Sequence, residues 1–133
     1  MAKYLMAIDA GTGSVRAVLF DLEGNQIGCS QLEWEHAEDP RYPGSMDFDW
    51  VNNWDLARHC IRNVIAEAHI LPAEICAIST TCMREGIVLY DKTGTEIWAC
   101  ANVDARANDE VAELIHSRPG LEKELYLESG QSY

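Results

Sequence analysis

Apolar positions near the start of the chain predict three consecutive strands. Residues 5–8 form an apolar run that suits a buried strand, and residues 15–20 are rich in β-branched and bulky apolar side chains. A turn signal at residues 21–25 separates this second run from a third one at residues 26–32. Because short connections join the three runs, the sequence predicts antiparallel neighbours.

The next periodic stretch predicts a helix over about residues 50–68, because its apolar positions recur at three- and four-residue steps. Asp47 or Asp49 can cap its first turn. The stripe predicted to face the core consists of Trp50, Trp54, Ala57, Ile61, Val64, Ile65 and Ala68. For the two tryptophans we prefer a place in the core to a role in stacking on a sugar. Asn53 is assigned to the polar side, and residues 34–47 are predicted as an exposed loop.

The second half of the chain continues with a buried strand. Residues 75–82 begin as a nearly continuous apolar run, which predicts a strand buried on both faces. A strand, a helix and a parallel strand imply a crossover, so the α/β pattern fits the mixed sheet of the ribonuclease-H-like fold. Residues 86–90 and 96–98 predict a further hairpin. Residues 106–116 predict a helix, and one or two helical turns follow at residues 121–128.

Composition restricts the classes of partner. A chain of 133 residues suffices for one core and not comfortably for two domains. Its net charge of −12, from 22 acidic residues against 10 lysines and arginines, argues against nucleic acid and against an anionic membrane. Any bound nucleotide is therefore expected to depend on local donors and a metal ion.

Cysteine, histidine and apolar content predict a cytoplasmic chain with reduced thiols. The five cysteines are odd in number and contain no CxxC pair, and the four histidines form no HExxH motif, so we expect neither a disulfide framework nor a zinc site. The first apolar run is short and ends at Asp9, which predicts no signal peptide. Nowhere do about 18 consecutive apolar residues occur, so no membrane span is expected.

The loop at residues 10–13 has the chemistry of a phosphate cradle. Its glycines allow backbone N–H groups to approach an anion, Thr12 and Ser14 add hydroxyl donors, and Arg16 adds a positive charge. Asp9 would repel a phosphate unless a divalent cation such as Mg²⁺ bridges the two. No GxxxxGK[ST] or GxGxxG motif is present, and a strand follows the loop in place of a helix. The alternative is an ordinary hairpin turn with residues selected for their backbone angles.

These residues resemble the first phosphate motif of the FGGY carbohydrate kinases, which belong to the actin, Hsp70 and sugar-kinase superfamily. The resemblance covers essentially the whole chain and implies ATP and Mg²⁺ as cofactors. It implies that Asp9 interacts with the metal, often through water, and that the loop meets the terminal phosphates of ATP. The reaction implied is γ-phosphoryl transfer to a hydroxyl of a small polyol or sugar-like substrate. The cofactor-binding residues implied are Asp9, Gly11, Thr12, Gly13, Ser14 and Arg16.

A second group of polar residues follows the strand at residues 75–82. Arg84 and Glu85 can supply both donors and acceptors to adjacent hydroxyls, although a surface ion pair is the simpler interpretation. The resemblance implies substrate contact here, since glycerol-kinase-like members carry an Arg-Glu pair after this strand. Asp104 and Arg106 resemble the family's W-x-D-x-R segment, with Asn102 replacing the aromatic residue, which implies that they orient substrate or brace its pocket. The alternative for Asp104 is a helix N-cap.

The resemblance also implies what the chain lacks. The family's general base is an Asp well beyond this length, and its adenosine-binding motifs belong to a second domain. We therefore expect residues 1–133 to form the front part of an N-terminal domain, with no catalytic residue and no second domain. Uncovered apolar surface is expected to cause self-association. Two alternatives remain open: a catalytically inert or weakly ligand-binding domain, and a kinase for glycerol or another carbohydrate.

Overall fold

A mixed four-stranded sheet forms the centre of the fold, as the sequence predicts. The structure is a computed structural model that describes residues 3–130, so residues 1–2 and 131–133 of the predicted domain lie outside the described residues. The strands are β1 (Tyr4–Ala10), β2 (Ser14–Asp21), β3 (Gln26–Glu33) and β4 (Ile75–Cys82). Their order in the sheet is β3-β2-β1-β4. The first three strands are antiparallel neighbours, and β4 lies parallel to β1.

A tight turn between β2 and β3 sets the register of this part of the sheet. The Asp21 carboxylate accepts hydrogen bonds from the backbone N–H of Glu23 at 3.0 Å and of Asn25 at 2.8 Å. The side-chain hydrogen bond from Asn25 is the largest cause that holds the pKa of Asp21 below its ordinary value. Gly24 has a φ of +87°, which favours glycine at that position.

One helix, α1 (Trp50–Glu67), covers β2 and β3 and confirms the predicted helix almost to the residue. Asp49 caps its first turn, because its carboxylate accepts a hydrogen bond from the Asn52 N–H at 3.0 Å. The core consists of Met6, Val15, Ala17, Leu19, Trp34, Ala57, Cys60, Val64 and Ile70. Burial of each large apolar side chain among them stabilises the fold by about 2 kcal/mol.

The buried face of α1 differs from the predicted stripe at three positions, since it includes Asn53 and Cys60 and leaves Trp54 exposed. Trp54 is 64% exposed and Asn53 only 2% exposed, so the core assignment of Trp54 and the polar-side assignment of Asn53 are both wrong. The helix buries Asn53, Ala57, Cys60 and Val64 because it lies over β2 and β3. Trp54 lies instead toward the β4 side of the helix, where it lines a cavity together with Thr80 and Thr81.

Strand β4 is exposed along most of its length, so the predicted burial of both its faces is wrong within the described chain. Ile75 is half-buried, while the seven residues after it are exposed. The physical reason is position: β4 is an edge strand, and α1 lies over the opposite half of the sheet. Its apolar sequence therefore belongs to a surface that residues 3–130 leave uncovered.

The segment between β3 and α1 is more ordered than the predicted exposed loop. Ser45 is fully buried, and Asp47 forms isolated bridges with both Ala37 and Cys100. Backbone hydrogen bonds also join Ala101 N to Met46 O at 2.9 Å and Ala105 N to Gly44 O at 2.7 Å. The prediction of exposure is confirmed for residues 35, 37–38 and 40–43, whereas the other residues of the segment are buried or half-buried.

The elements after β4 match their predicted types. Strands β5 (Ile87–Tyr90) and β6 (Glu96–Cys100) form a separate antiparallel hairpin, followed by α2 (Asn108–Ser117) and α3 (Leu121–Ser129). Helix α2 has Ala107 at its N-cap position, so the alternative of an N-cap at Asp104 is wrong. Among the helices within residues 3–130, none is long and apolar enough to cross a membrane.

Candidate functional site

The loop at residues 10–13 joins β1 to β2, and hydrogen bonds from Trp34 and His36 hold two of its carbonyl groups. The indole Nε1 of Trp34 donates to Thr12 O at 2.9 Å, and the backbone N–H of Trp34 donates to Gly13 O at 3.1 Å. His36 Nε2 lies 2.6 Å from Thr12 O. Because a carbonyl oxygen only accepts, this contact requires the His36 proton on Nε2. The loop is therefore fixed from its carbonyl side.

The N–H side of the same loop is open. Gly11 N donates to Ser14 O at 2.8 Å and closes the turn, whereas the N–H groups of Thr12 and Gly13 donate to no residue that the structure describes. Neither Gly11 nor Gly13 has a positive φ, and a Cβ at Gly13 would have no neighbour within 4 Å. The hairpin-turn alternative thus gives no conformational reason for Gly13, and an anion could approach the backbone there.

Asp9 and Arg16 form an ion pair across β1 and β2, where they are opposite each other in the ladder. Arg16 Nη2 and Nε lie 2.6 Å and 2.9 Å from Asp9 Oδ2. The pair is substantially exposed and contributes little to stability. The pair fixes the orientation of the Asp9 carboxylate through Oδ2. Oδ1 of Asp9 has no hydrogen-bond partner within residues 3–130 and is available to a ligand. Arg16, expected to supply charge to a phosphate, is directed at Asp9.

These residues fit a magnesium ion of the kind that accompanies phosphates. Across the described part of the chain there is no group of three or more His, Cys, Asp or Glu side chains that could hold a metal ion. Mg²⁺ commonly keeps several waters and binds through one or two carboxylates together with substrate phosphates. A single carboxylate beside open backbone N–H groups matches that type of site.

A side-chain hydrogen bond links the loop to a distant segment. Thr12 Oγ1 donates to Asn102 Oδ1 at 3.0 Å, and the two residues are 90 positions apart. The sequence indicated Asn102 only as a substitution for an aromatic residue. It could not indicate the contact with Thr12, because no local pattern relates positions so far apart.

Arg106 lies at the centre of a cluster that includes two carboxylates and an indole ring. Its Nη2 is 2.7 Å from Asp104 Oδ2 and 2.5 Å from Asp47 Oδ1, and its guanidinium carbon is 5.0 Å from the ring centroid of Trp98. Asp104 also accepts the backbone N–H of Met46 at 2.7 Å. The cluster ties residues 46–47 to residues 104–106, so Arg106 and Asp104 are bound to protein groups and brace this region.

The same hydrogen bonds control the charge of the cluster. The side-chain hydrogen bond from Arg106 is the largest cause that lowers the pKa of Asp104 from 3.8 to about 2. The reciprocal hydrogen bond raises the pKa of Arg106. Both groups therefore stay ionised through the physiological range.

Arg84 and Glu85 are exposed where the chain leaves β4. Neither forms an ion pair with any of residues 3–130, so the surface ion pair considered above is absent there. Glu85 has a φ of +68°, an uncommon conformation for a residue other than glycine. Both side chains are free to meet a ligand, and an apolar pocket of about 160 Å³ formed in part by Met83 and Gly86 lies beside them.

The sequence-predicted site residues thus fall into connected groups. Asp9, Arg16 and the loop lie together at one end of β1 and β2, and Asn102 connects Thr12 to the segment that contains Asp104 and Arg106. Met83 N donates to Ala10 O at 2.8 Å, which places the backbone just before Arg84 against the loop.

The chain is similar to a known family over nearly its whole length. The FGGY family of carbohydrate kinases, N-terminal domain, matches residues 4–133. Autoinducer-2 kinase from Escherichia coli O9:H4 (strain HS) is 57% identical over 131 residues, which are 97% of this chain and 24% of that protein. Autoinducer-2 kinase from Yersinia pestis bv. Antiqua (strain Angola) has the same identity and coverage. The chain therefore spans about a quarter of the length of these curated relatives.

Solved sugar kinases share the fold. Xylulose kinase from Rhodospirillum rubrum has a TM-score of 0.72 and 25% identity, with 90% of this chain and 24% of that chain covered. Gluconate kinase from Lactobacillus acidophilus has a TM-score of 0.79 and 17% identity, with 95% and 24% covered. The predicted fold class and the resemblance to the family are confirmed. A nearer resemblance to autoinducer-2 kinase, carried by residues 7–27, 83–90 and 97–107, is confirmed as well.

Replacing Arg106 by Gln should lower the melting temperature at neutral pH by roughly 5 °C, because Asp104 loses its main partner. A carboxyl with a lowered folded-state pKa stabilises the fold above its ordinary pKa, and this contribution is lost as the pH falls. The parent chain should therefore lose stability from about pH 4 to about pH 2, the interval between the ordinary and lowered pKa of Asp104. In Arg106→Gln this decline should be smaller.

Arg41→Gln is the matched control for that experiment. Arg41 also lowers the pKa of its partner, Asp39, to about 2, but the Arg41 side chain is 79% exposed. Solvent should screen this pair, so its removal should have the smaller effect. Thermal unfolding at neutral pH and urea unfolding across pH 2 to 7 are measured for all three proteins, and parallel pH profiles for Arg106→Gln and the parent would contradict the role assigned to the cluster.

Proposed function

Because this chain belongs to the FGGY family of carbohydrate kinases, we propose that it supplies the phosphate loop and part of the substrate site of an ATP-dependent kinase. The reaction is γ-phosphoryl transfer to a hydroxyl of a small sugar-like molecule. The observation that carries the proposal is the loop at residues 10–13, with two backbone N–H groups open beside the oriented carboxylate of Asp9. Such an arrangement can meet both a terminal phosphate and its metal ion.

The substrate we propose is the linear form of the autoinducer-2 quorum-sensing signal. Support comes from the 57% identity to proteins named autoinducer-2 kinase over 131 residues, a matched region that is long enough to include both the loop and the Arg84-Glu85 pair. Glycerol or another carbohydrate is the alternative substrate. The family's sugar kinases share the fold at 25% identity or less, so the fold alone does not favour either substrate.

We assign the residues of the loop to the phosphates. The N–H groups of Thr12 and Gly13 donate to anionic oxygens, and the Ser14 hydroxyl adds a donor at the start of β2. Arg16 holds Oδ2 of Asp9, which leaves Oδ1 as the atom that would bind the cation or accept from its waters. Mg²⁺, when bound with ATP, neutralises charge that develops on the transferred phosphoryl group.

We assign the second group to the substrate. Arg84 donates to a substrate hydroxyl and Glu85 accepts from one, since both are exposed and without partners among residues 3–130. Asp104 and Arg106 brace the pocket, since their side chains bind each other and tie the segment that includes Asn102 to Met46 and Asp47. Their role is to maintain the shape of this side of the pocket.

The general base and the adenosine site are proposed to lie in sequence that corresponds to the remaining part of the longer relatives. Residues 1–133 then correspond to the front part of an N-terminal domain that acts in the cytoplasm, where ATP is available. An inert or weakly ligand-binding domain is the contrasting hypothesis. It concerns the 133-residue chain by itself, which spans 24% of the length of these relatives.

A chimaera separates these hypotheses. The matching segment of Escherichia coli autoinducer-2 kinase is replaced by this chain, and ATP-coupled turnover is measured with the linear signal molecule and with glycerol. We expect turnover of the signal molecule by the chimaera, its loss on Asp9→Ala, and no turnover by the 133-residue chain alone. A folded chimaera without activity would support the inert domain, and preferential turnover of glycerol would support the alternative substrate.

Arg84→Ala in the same chimaera should raise the KM for substrate about tenfold and leave the KM for ATP nearly unchanged, because one charged donor to a substrate hydroxyl is lost. Lys92→Ala is the control, since Lys92 is an exposed cation of the hairpin that follows. Equal substrate affinity of Arg84→Ala and the parent, by kinetics or calorimetry, would rule out this assignment.

Self-association is the remaining proposal about partners. Strand β4 has a free edge within the described residues, and Ile78 and Trp54 are exposed by 59% and 64%. Beside them lies a cavity of about 300 Å³, lined in part by Asn53. The buried Nδ2 of Asn53 has no partner among residues 3–130.

Such surface favours association of the 133-residue chain with itself. We expect oligomers in light scattering at micromolar concentration and fewer of them for Ile78→Lys, which places a charge on the exposed strand. Asn63→Lys is the control, because it adds the same charge at an exposed polar position of α1. A compact monomer of the parent chain across the concentration range would contradict the proposal.

A further inference from the structure

The hydrogen bond between Thr12 and Asn102 is the one side-chain hydrogen bond, within residues 3–130, that joins the phosphate loop to the segment containing Asp104 and Arg106. The Thr12 hydroxyl donates and the Asn102 carbonyl oxygen accepts, at 3.0 Å. Both residues are half-buried, so the bond is only partly accessible to water. It lies between the two groups of residues that the proposed function assigns to phosphate and to substrate.

The Thr12 hydroxyl can donate either to Asn102 or to a phosphate oxygen, but not to both at once. A hydroxyl has a single proton, and an ionised phosphate oxygen only accepts. While Thr12 donates to Asn102, its hydroxyl therefore cannot also donate to a phosphate in the loop. The Thr12 carbonyl is held by Trp34 and His36, so the side chain can change partner by a rotation about χ1 without movement of the loop backbone.

Asn102 is chemically suited to alternate between partners. Its carbonyl oxygen is an uncharged acceptor, which a nearby phosphate does not repel as it would repel a carboxylate. The two carboxylates of the Arg106 cluster, Asp47 and Asp104, are both engaged with Arg106. The amide Nδ2 of Asn102 has no partner in the described part of the chain, so the side chain can serve a substrate hydroxyl once Thr12 releases it.

We propose that Asn102 is a positioning residue that couples the two halves of the site. In the empty loop Asn102 accepts the Thr12 proton, and in the filled loop Thr12 donates to a phosphate oxygen while Asn102 turns to a substrate hydroxyl. The inference rests on the proposed function, because it requires a phosphate at the loop. By linkage, phosphate and substrate then each increase the affinity for the other roughly fivefold, which corresponds to the net free energy of about one hydrogen bond.

The first test is binding of Mg²⁺-tripolyphosphate to the 133-residue chain by calorimetry. Asn102→Ala should bind this probe about fivefold more tightly than the parent, because the Thr12 hydroxyl no longer has to leave Asn102. The gain should disappear in the double variant with Thr12→Val, which has no hydroxyl to donate. Unchanged or weaker binding by Asn102→Ala would overturn the proposal, since a purely structural role predicts a loss.

The second test follows amide signals by ¹H–¹⁵N NMR in the same chain. Thr12→Val removes the hydroxyl group while the side chain keeps nearly the same shape. Thr12→Ser retains the hydroxyl group and is the matched control. Without ligand, the side-chain amide signals of Asn102 should shift in Thr12→Val and stay near their parent positions in Thr12→Ser. Addition of Mg²⁺-tripolyphosphate should move the Asn102 signals in the parent and leave them unmoved in Thr12→Val.

The Gly13 amide separates failure of the switch from failure of the phosphate loop. Its signal should move with the probe in the parent and in both variants, because its N–H is open in the structure. A Gly13 signal that moves without a response at Asn102 contradicts the switch alone. A Gly13 signal that moves in none of the three proteins contradicts the proposed phosphate loop and, with it, the coupling.

Discussion

The site depends on the hydrogen bonds that hold the carbonyl groups of the loop at residues 10–13. A short loop between two antiparallel strands must satisfy its backbone polar groups, and here Trp34 and His36 satisfy the carbonyl oxygen of Thr12. With that oxygen bound on one side, the N–H groups of Thr12 and Gly13 are left on the other, without partners in residues 3–130. The loop can thus offer donors to an anion without a change in its backbone, and preorganised donors are the kind that stabilise phosphoryl transfer.

The segments that provide these hydrogen bonds are themselves held by the Arg106 cluster. Residues 44–47 continue from Trp34 and His36, and they are bonded to residues 101–106 by backbone hydrogen bonds and by Asp47 and Asp104. The loop, the hairpin of β5 and β6 and the connection before α1 therefore form one network at the same end of the sheet. This network explains how residues 90 positions apart, such as Thr12 and Asn102, meet at 3.0 Å.

Features that depend on residues close together in the sequence could be predicted from it. Features that depend on which distant elements cover a residue could not. The turn capped by Asp21 and the helix capped by Asp49 depend on contacts over a few positions, so the sequence indicates both. The exposure of Trp54 and the burial of Asn53 depend on which strands α1 covers, which its own periodicity does not specify. The same holds for β4, whose apolar residues predict burial while its edge position leaves them exposed. Of the candidate site, the short spacing of Asp9, the loop and Arg16 could be seen in the sequence, but the contacts of Arg16 with Asp9 and of Asn102 with Thr12 required the fold.

The central claim is that the open N–H groups of Thr12 and Gly13 bind the terminal phosphate of a nucleotide. The most direct measurement is a crystal structure of the chain with Mg²⁺ and a non-hydrolysable ATP analogue. We predict phosphate oxygens at about 2.9 Å from the backbone nitrogens of Thr12 and Gly13, a usual N–H···O distance, with the cation on the side of Asp9 Oδ1. A nucleotide bound with its phosphates away from this loop would contradict the account.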